Sequence, residues 1–272
     1  MQVPKAPALI IVREQGLMKE NRTAELKRIA RGKMLDKYGT AIGAYLLQAV
    51  IMGIVQYIAL QVSDTTTVMG MIVYMLISLI IELIMVVFAV GELTIYFNIS
   101  RGAEAKATDV FNGFKLHPDK AITVAVLVLV RSYVLLLPAI IAYVYFVLSG
   151  NNRALIVAIV AAVPGIIRAA YVLCELSQCY YILLDYPRLT ASEIVSTSKD
   201  MMKGHIGEYF GMVCSFIPLF LVGILSLGFG MVLLYPYMRM TMTEFYLDLV
   251  RRPEKGANFD AVIDDEINCI NN

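Results

Sequence analysis

Histidine is nearly absent from this chain of 272 residues: His117 and His205 are the two copies, far apart in sequence. No H-E-x-x-H, G-x-S-x-G, Walker loop or G-x-G-x-x-G occurs either. Zinc hydrolysis, acyl transfer and nucleotide chemistry thus lose their usual signatures. No catalytic residue, metal site or cofactor is expected. Cysteine is equally uninformative. Cys174, Cys179, Cys214 and Cys269 form no C-x-x-C pair, and three of them fall in or beside apolar runs, where they read as small fillers. Charge is scarce too, at 17% of residues against 59% hydrophobic, which does not suit an ordinary soluble domain. The basic residues make no groove or arm, so a nucleic-acid partner is not expected.

Long apolar runs are what the chain does have. Residues 41–60, 68–90, 122–148 and 154–176 each approach or exceed the roughly 20 apolar residues that cross a hydrocarbon core of about 30 Å. The period-2 alternation of a barrel strand is missing, so these runs predict α-helices. A last block, 206–249, is too long for one span and holds Ser226, Gly228 and Gly230 in its middle. It reads as a hairpin of two spans, 206–225 and 230–249, with Pro236 kinking the second. The fold class expected is all-α: a membrane bundle of about six transmembrane helices with added interfacial helices. Residues 21–250 form one membrane domain, preceded by an extension over 1–20.

Lysine and arginine crowd one side. Residues 1–40 carry nine of them, the 61–67 loop none, and the 149–153 loop only Arg153. Segments 98–121 and 185–205 and the start of the tail are basic again. Cytoplasmic enrichment of these residues predicts that both termini are cytoplasmic in a cell-membrane protein, and six spans satisfy every loop. The short apolar run Ala6–Val12 lacks a cleavage site, so the first span is expected to act as an uncleaved anchor. Residues 251–272 are acidic, with Glu254, Asp260, Asp264, Asp265 and Glu266, and predict a solvated, poorly ordered tail.

The cytoplasmic segments are amphipathic. Leu26, Ile29, Ala30, Met34 and Tyr38 share one helical face between basic flanks, which suits either the lipid interface or the protein's own loops. Thr190-Ala-Ser-Glu193 is a capping box with Leu189 and Ile194 as its staple, and Gly204 stops the helix. That helix is too short to span and is expected on the inner membrane surface. Val110, Phe111 and Phe114 mark a shorter membrane-touching element beside Gly113. Gly39 and Gly43, and the stripe Ala158, Ala162, Gly165 and Ala169, provide small surfaces for close helix packing or for a homodimer face.

Four stretches carry a family resemblance: Glu25-Leu-Lys-Arg28; Ser100-Arg-Gly102 with Asp109-Val-Phe-Asn-Gly-Phe-Lys115; Pro164-Gly-Ile-Ile-Arg168 with Tyr171 and Asp185-Tyr-Pro187; and the C-terminal set Met202-Lys-Gly-His205, Leu227-Gly-Phe-Gly230, Tyr235-Pro-Tyr-Met238 and Phe245-Tyr246. Over residues 21–250 the chain resembles the bacterial multi-pass membrane proteins catalogued as domain of unknown function 975. The resemblance implies a six-helix type of integral membrane protein and brings no activity with it. The stretch between Lys115 and Pro164 is longer here than that pattern.

Glu82, Arg131, Arg168, Arg239 and Glu244 each interrupt an apolar run. An ionisable group at a helix centre costs about 2.5–3.5 kcal/mol on insertion scales, so such groups normally face protein or water. At about 1.5 Å per residue, Glu82, Arg168 and Glu244 lie roughly 9 Å from the inner face and Arg131 about 13 Å, with Arg239 nearer the midplane. Glu92 and Glu175 lie closer to the inner surface, where they can snorkel. The five form a candidate charge cluster with three readings: a structural ion-pair network, a hydrated pocket for an anionic group, or an ion pathway. Partners expected are anionic lipid head groups at the cytoplasmic face and a membrane protein or second copy. The leading functional expectation is a non-enzymatic protein that binds lipid or a membrane partner in envelope maintenance. The alternative is a small transporter or exporter component for an amphipathic or anionic compound.

The topology has a direct test. A cysteine placed at Asn151 should react with an impermeant reagent from outside intact cells, and one at Asn258 only after permeabilisation. Labelling of Asn258 in intact cells would overturn the cytoplasmic assignment of the tail.

Overall fold

The computed structural model describes residues 22–63 and 66–252, so the extension over 1–20 and the acidic tail from 253 lie outside the described residues. Helix α1 covers 22–34. Then follow α2 (Tyr38–Val62), α3 (Val68–Ser100), a 3-10 segment (Ala107–Phe114), α4 (Pro118–Tyr133), α5 (Leu137–Ser149) and α6 (Asn152–Glu175). The chain continues through α7 (Cys179–Asp185), α8 (Ala191–Met202), α9 (Ile206–Cys214), α10 (Ile217–Leu225) and α11 (Phe229–Arg251). No strand occurs among the described residues.

The punctuation follows local chemistry. The Thr67 hydroxyl accepts the Gly70 N–H at 3.1 Å and opens α3, and the Asn151 side chain accepts the Arg153 N–H at 3.0 Å at the start of α6. The capping box of α8 is complete: Glu193 accepts the Thr190 N–H at 2.8 Å, and Thr190 Oγ1 accepts the Glu193 N–H at 3.4 Å. The Thr190 N–H, and then the Thr190 hydroxyl donating to the same carboxylate at 2.8 Å, hold the exposed Glu193 carboxyl below its ordinary pKa. Between α10 and α11 the chain reverses through Leu227 and Gly228, both left-handed at φ 56° and 88°. Gly223 and Gly230 let the two helices meet, and Leu225, Leu227 and Phe229 stand fully outward at the tip.

Four helices are long and apolar enough to cross a membrane: Tyr38–Val62, Val68–Ser100, Arg153–Asp185 and Ile206–Leu225. The count rises to five if α4 and α5, bent by 70°, make one broken span. These counts, by length and composition, fit the all-α bundle expected, and the run over 122–148 is bent rather than straight. The chain turns at Val134–Leu136, just ahead of Pro138 in the first turn of α5. The expected sixth span is α11, which carries Arg239, Glu244, Asp248 and Arg251 and so is not apolar enough to count. These helices fit an integral membrane protein.

At about 1.5 Å per residue, α3 is roughly 50 Å long, well beyond a hydrocarbon core. Its buried residues begin at Ile81 and concentrate from Val87 to Ile99, while Val68, Met69, Ile72, Met75 and Leu76 are exposed. In α11 the buried positions likewise run from Leu234 to Leu249. The core therefore sits at one end of the bundle, where α1, the 3-10 segment and α8 close over the long helices. Tyr181 stacks on Tyr246 with centroids 5.1 Å apart, and Phe97 meets each edge-on at 5.8 Å.

That packing settles the amphipathic helices. Leu26, Ala30 and Met34 of α1 are buried in the protein core, not turned to lipid. The apolar face of α8, with Ile194, Val195, Met201 and Met202, is buried there too, so it packs on the protein itself. The far end of α3 offers an apolar surface that these helices cover. Of the 3-10 segment, Val110 is buried, while Phe111 and Phe114 stay exposed and touch Phe88 edge-on.

The tightest junction is backbone against backbone. A Cβ on Gly91 would overlap the Val110 carbonyl and come 2.9 Å from Gly113 N. One on Gly113 would overlap the Val87 carbonyl and come 2.8 Å from Gly91 N. Gly91→Ala and Gly113→Ala should each destabilise the protein by about 1–3 kcal/mol or more through overpacking. Gly53→Ala, where a Cβ meets nothing within 4 Å, should be neutral or stabilise by up to about 1 kcal/mol. Thermal unfolding in detergent measures both, and equal melting of all three would remove the junction's role.

Candidate intramembrane polar site

Arg239, Glu244 and Asp248 along α11 each meet an opposite charge. Glu92 on α3 is fully buried. Its carboxylate accepts the Tyr96 hydroxyl at 3.1 Å and the Tyr235 hydroxyl at 2.9 Å, and lies 3.6 Å from the Arg239 guanidinium. The spacing is i, i+4 on both helices, Glu92 with Tyr96 and Tyr235 with Arg239, so one turn of each supplies half of the group. Arg239 also lies over the Tyr235 ring at 5.9 Å, and its Nε is buried with no hydrogen-bond partner.

One turn further along α11, Glu244 is buried. It accepts from Lys33 Nζ of α1 at 2.8 Å and from Ser100 Oγ of α3 at 2.6 Å, while Lys33 also donates to Ser100 at 2.9 Å. Asp248 then takes Arg22 at 3.0 Å and Arg252 at 2.7 Å, and Arg252 reaches Glu208 on α9 at 3.0 Å. Beside this row Asp185 accepts from Arg101 at 2.5 Å and from the Tyr246 hydroxyl at 2.9 Å. Charge-assisted bonds of this kind are roughly twice as strong as neutral ones.

The five residues singled out in the sequence divide. Arg239 and Glu244 enter the buried row, each with a partner outside the five. Glu82 is exposed on α3 and lines a groove of about 390 Å³ with Tyr74, Met75, Leu76, Ser78 and Leu79. Arg131 on α4 and Arg168 on α6 are exposed, Arg168 lying 5.5 Å over the Tyr171 ring. Among the described residues no ion pair joins any two of the five. The expected meeting of Glu82, Arg131, Arg168 and Glu244 is thus corrected: equal depth along helices does not fix direction around them, and α1 delivers a cation to Glu244 from outside the spans.

Sequence reasoning set Glu92 aside as a snorkelling residue, which its full burial against Tyr96 and Tyr235 corrects, and it passed over Lys33. The signal for Glu92 was the tyrosine four residues on, matched by the Tyr235–Arg239 spacing. Nothing local marks Lys33, whose pairing depends on where α1 docks. Among the described residues no group of three or more His, Cys, Asp or Glu could hold a metal ion.

A family model described as "Protein of unknown function (DUF975)" matches residues 18–253. No curated protein and no solved structure matches.

Removing one member of the buried pair strands the other. Glu92→Ala or Arg239→Ala should cost about 3–5 kcal/mol, seen as a lower melting temperature and folded yield. The double change Glu92→Leu with Arg239→Met should recover much of that loss, and Arg188→Ala on the surface should cost nothing measurable. Single variants that melt like the parent would mean that water compensates the charges.

Proposed function

The chain belongs to the DUF975 family of proteins of unknown function, and on that premise we propose a non-enzymatic, multi-pass protein of the bacterial cell membrane that holds anionic lipid around its cytoplasmic half, in support of envelope maintenance. One observation carries this reading. Arg131 and Arg168, on the neighbouring helices α4 and α6, face outward, and neither has a carboxylate within ion-pair distance among the described residues. A guanidinium in an apolar run costs about 2.5–3.5 kcal/mol unless an anion meets it. At the rim of a bundle that anion is a lipid phosphate, which the planar fork grips bidentately. The basic helix α1 and the cytoplasmic assignment of both termini put further cations at the same leaflet.

A transporter reading draws on the 70° break between α4 and α5, since discontinuous helices recur at transport sites.

Native mass spectrometry after exchange into phosphatidylglycerol–phosphatidylcholine nanodiscs tests the lipid reading. Arg131→Ala with Arg168→Ala should weaken phosphatidylglycerol retention by about 1 kcal/mol for each cation removed. Unchanged retention sinks it, and flux of an amphipathic anion in proteoliposomes would favour the transporter.

A further inference from the structure

A second cation stands apart from the rim and from the buried row. Lys27 on α1 lines a cleft of about 390 Å³ between α1 and α9, with Thr23 and Ala24 on one wall and Gly207, Glu208, Gly211 and Ser215 on the other. The lining positions repeat at helical spacing on both sides, so each helix turns one face to the cleft. On α9 that face is glycine at i and i+4, and a Cβ built on Gly207 or Gly211 meets nothing within 4 Å. The space is therefore open, and it exists because these two side chains are missing.

The partners of Lys27 are neutral. Its ammonium donates to the Ser215 carbonyl at 3.1 Å and lies 4.1 Å over the Phe216 ring. No carboxylate among the described residues is within ion-pair distance of it. Burial first, then Arg31, lower its pKa, and an anion in the cleft would oppose both by attraction. The one carboxylate in the lining, Glu208, is already held by Arg252 at 3.0 Å and faces His205 at 3.7 Å. With that charge answered, the cleft is left cationic by Lys27. Its wall is mostly apolar, and Leu219 and Val222, at helical spacing beyond Ser215, are exposed.

We infer that the cleft between α1 and α9 binds a phosphate-bearing anionic lipid, with the Lys27 ammonium and the Thr23 hydroxyl on the phosphate and the glycine floor beneath its headgroup. Arginine is not used here. A compact ammonium with rotatable donors accepts a phosphate as a point charge, without fixing its orientation. The inference names a site for the lipid reading above and rests on it only in taking the occupant from the bilayer.

Detergent-purified protein titrated with dioctanoyl phosphatidylglycerol, dioctanoyl phosphatidylcholine or inorganic phosphate, followed by native mass spectrometry, provides the test. Gly211→Leu projects into the open floor, where its Cβ meets nothing within 4 Å, so it should keep or raise the melting temperature while lowering phosphatidylglycerol binding about tenfold. Lys27→Gln should lower it about five- to tenfold, and Arg28→Gln, exposed on the next position, should leave it unchanged. Arg131→Ala with Arg168→Ala should also leave the cleft stoichiometry intact, so failure of the rim reading and failure of the cleft are seen separately. Parent-like binding by folded Gly211→Leu overturns the site. Inorganic phosphate binding as tightly as phosphatidylglycerol, or phosphatidylcholine binding as tightly, overturns the anionic-lipid assignment.

Discussion

A helix that carries Arg239, Glu244 and Asp248 can pack into an apolar bundle only if each charge meets an opposite one before water is excluded. The rest of that end of the bundle is arranged around that requirement. Glu92 answers from α3, Lys33 from α1, and Arg22 with Arg252 from the flanks. A missing answer would cost several kcal/mol, more than a single packing contact returns. Helix α1 is therefore a working part of the bundle, because it delivers the cation that lets Glu244 be buried. Its apolar residues Leu26, Ala30 and Met34 hold that cation in register.

Two kinds of contact share the load at this end. The Gly91–Gly113 junction joins α3 to the 3-10 segment through backbone atoms alone, so it is close and unforgiving. The tyrosines are more adaptable. Tyr96 and Tyr235 put hydroxyls on Glu92, and Tyr246 puts one on Asp185 while its ring stacks on Tyr181. Each such ring fills apolar volume and satisfies a carboxylate with the same side chain. At the opposite end the apolar faces of α2, α3, α5 and α10 stand open.

Much of this was legible in the residues. Apolar run length and the missing alternation gave the helical class, Thr190 and Glu193 marked the start of α8, and Ser226–Gly230 marked the hairpin. The run over 122–148 concealed its break because valine and leucine suit a straight span as well as a bent one, and Pro138 was the cue. The charge cluster failed for a geometric reason. Rise per residue yields depth, but pairing also needs the angle around each helix, and that angle is set by neighbours distant in sequence. Arg168 and Glu244 share a depth without sharing a direction. Lys33 could not be placed at all without knowing where α1 docks.

The outward tip of the α10–α11 hairpin has a mechanical consequence. Leu225, Leu227 and Phe229 have no favourable place in water, so the tip must float within the lipid boundary and cannot rise past it. The charged end of α11 is equally unable to sink. Between a buoyant tip and an anchored base the molecule has one comfortable immersion depth. A thicker or thinner bilayer must then be met by tilting the loosely packed helices, as hydrophobic mismatch demands, while the glycine-locked base stays rigid. Bilayer thickness would thus be felt as strain in one half of the protein and leave the other unmoved.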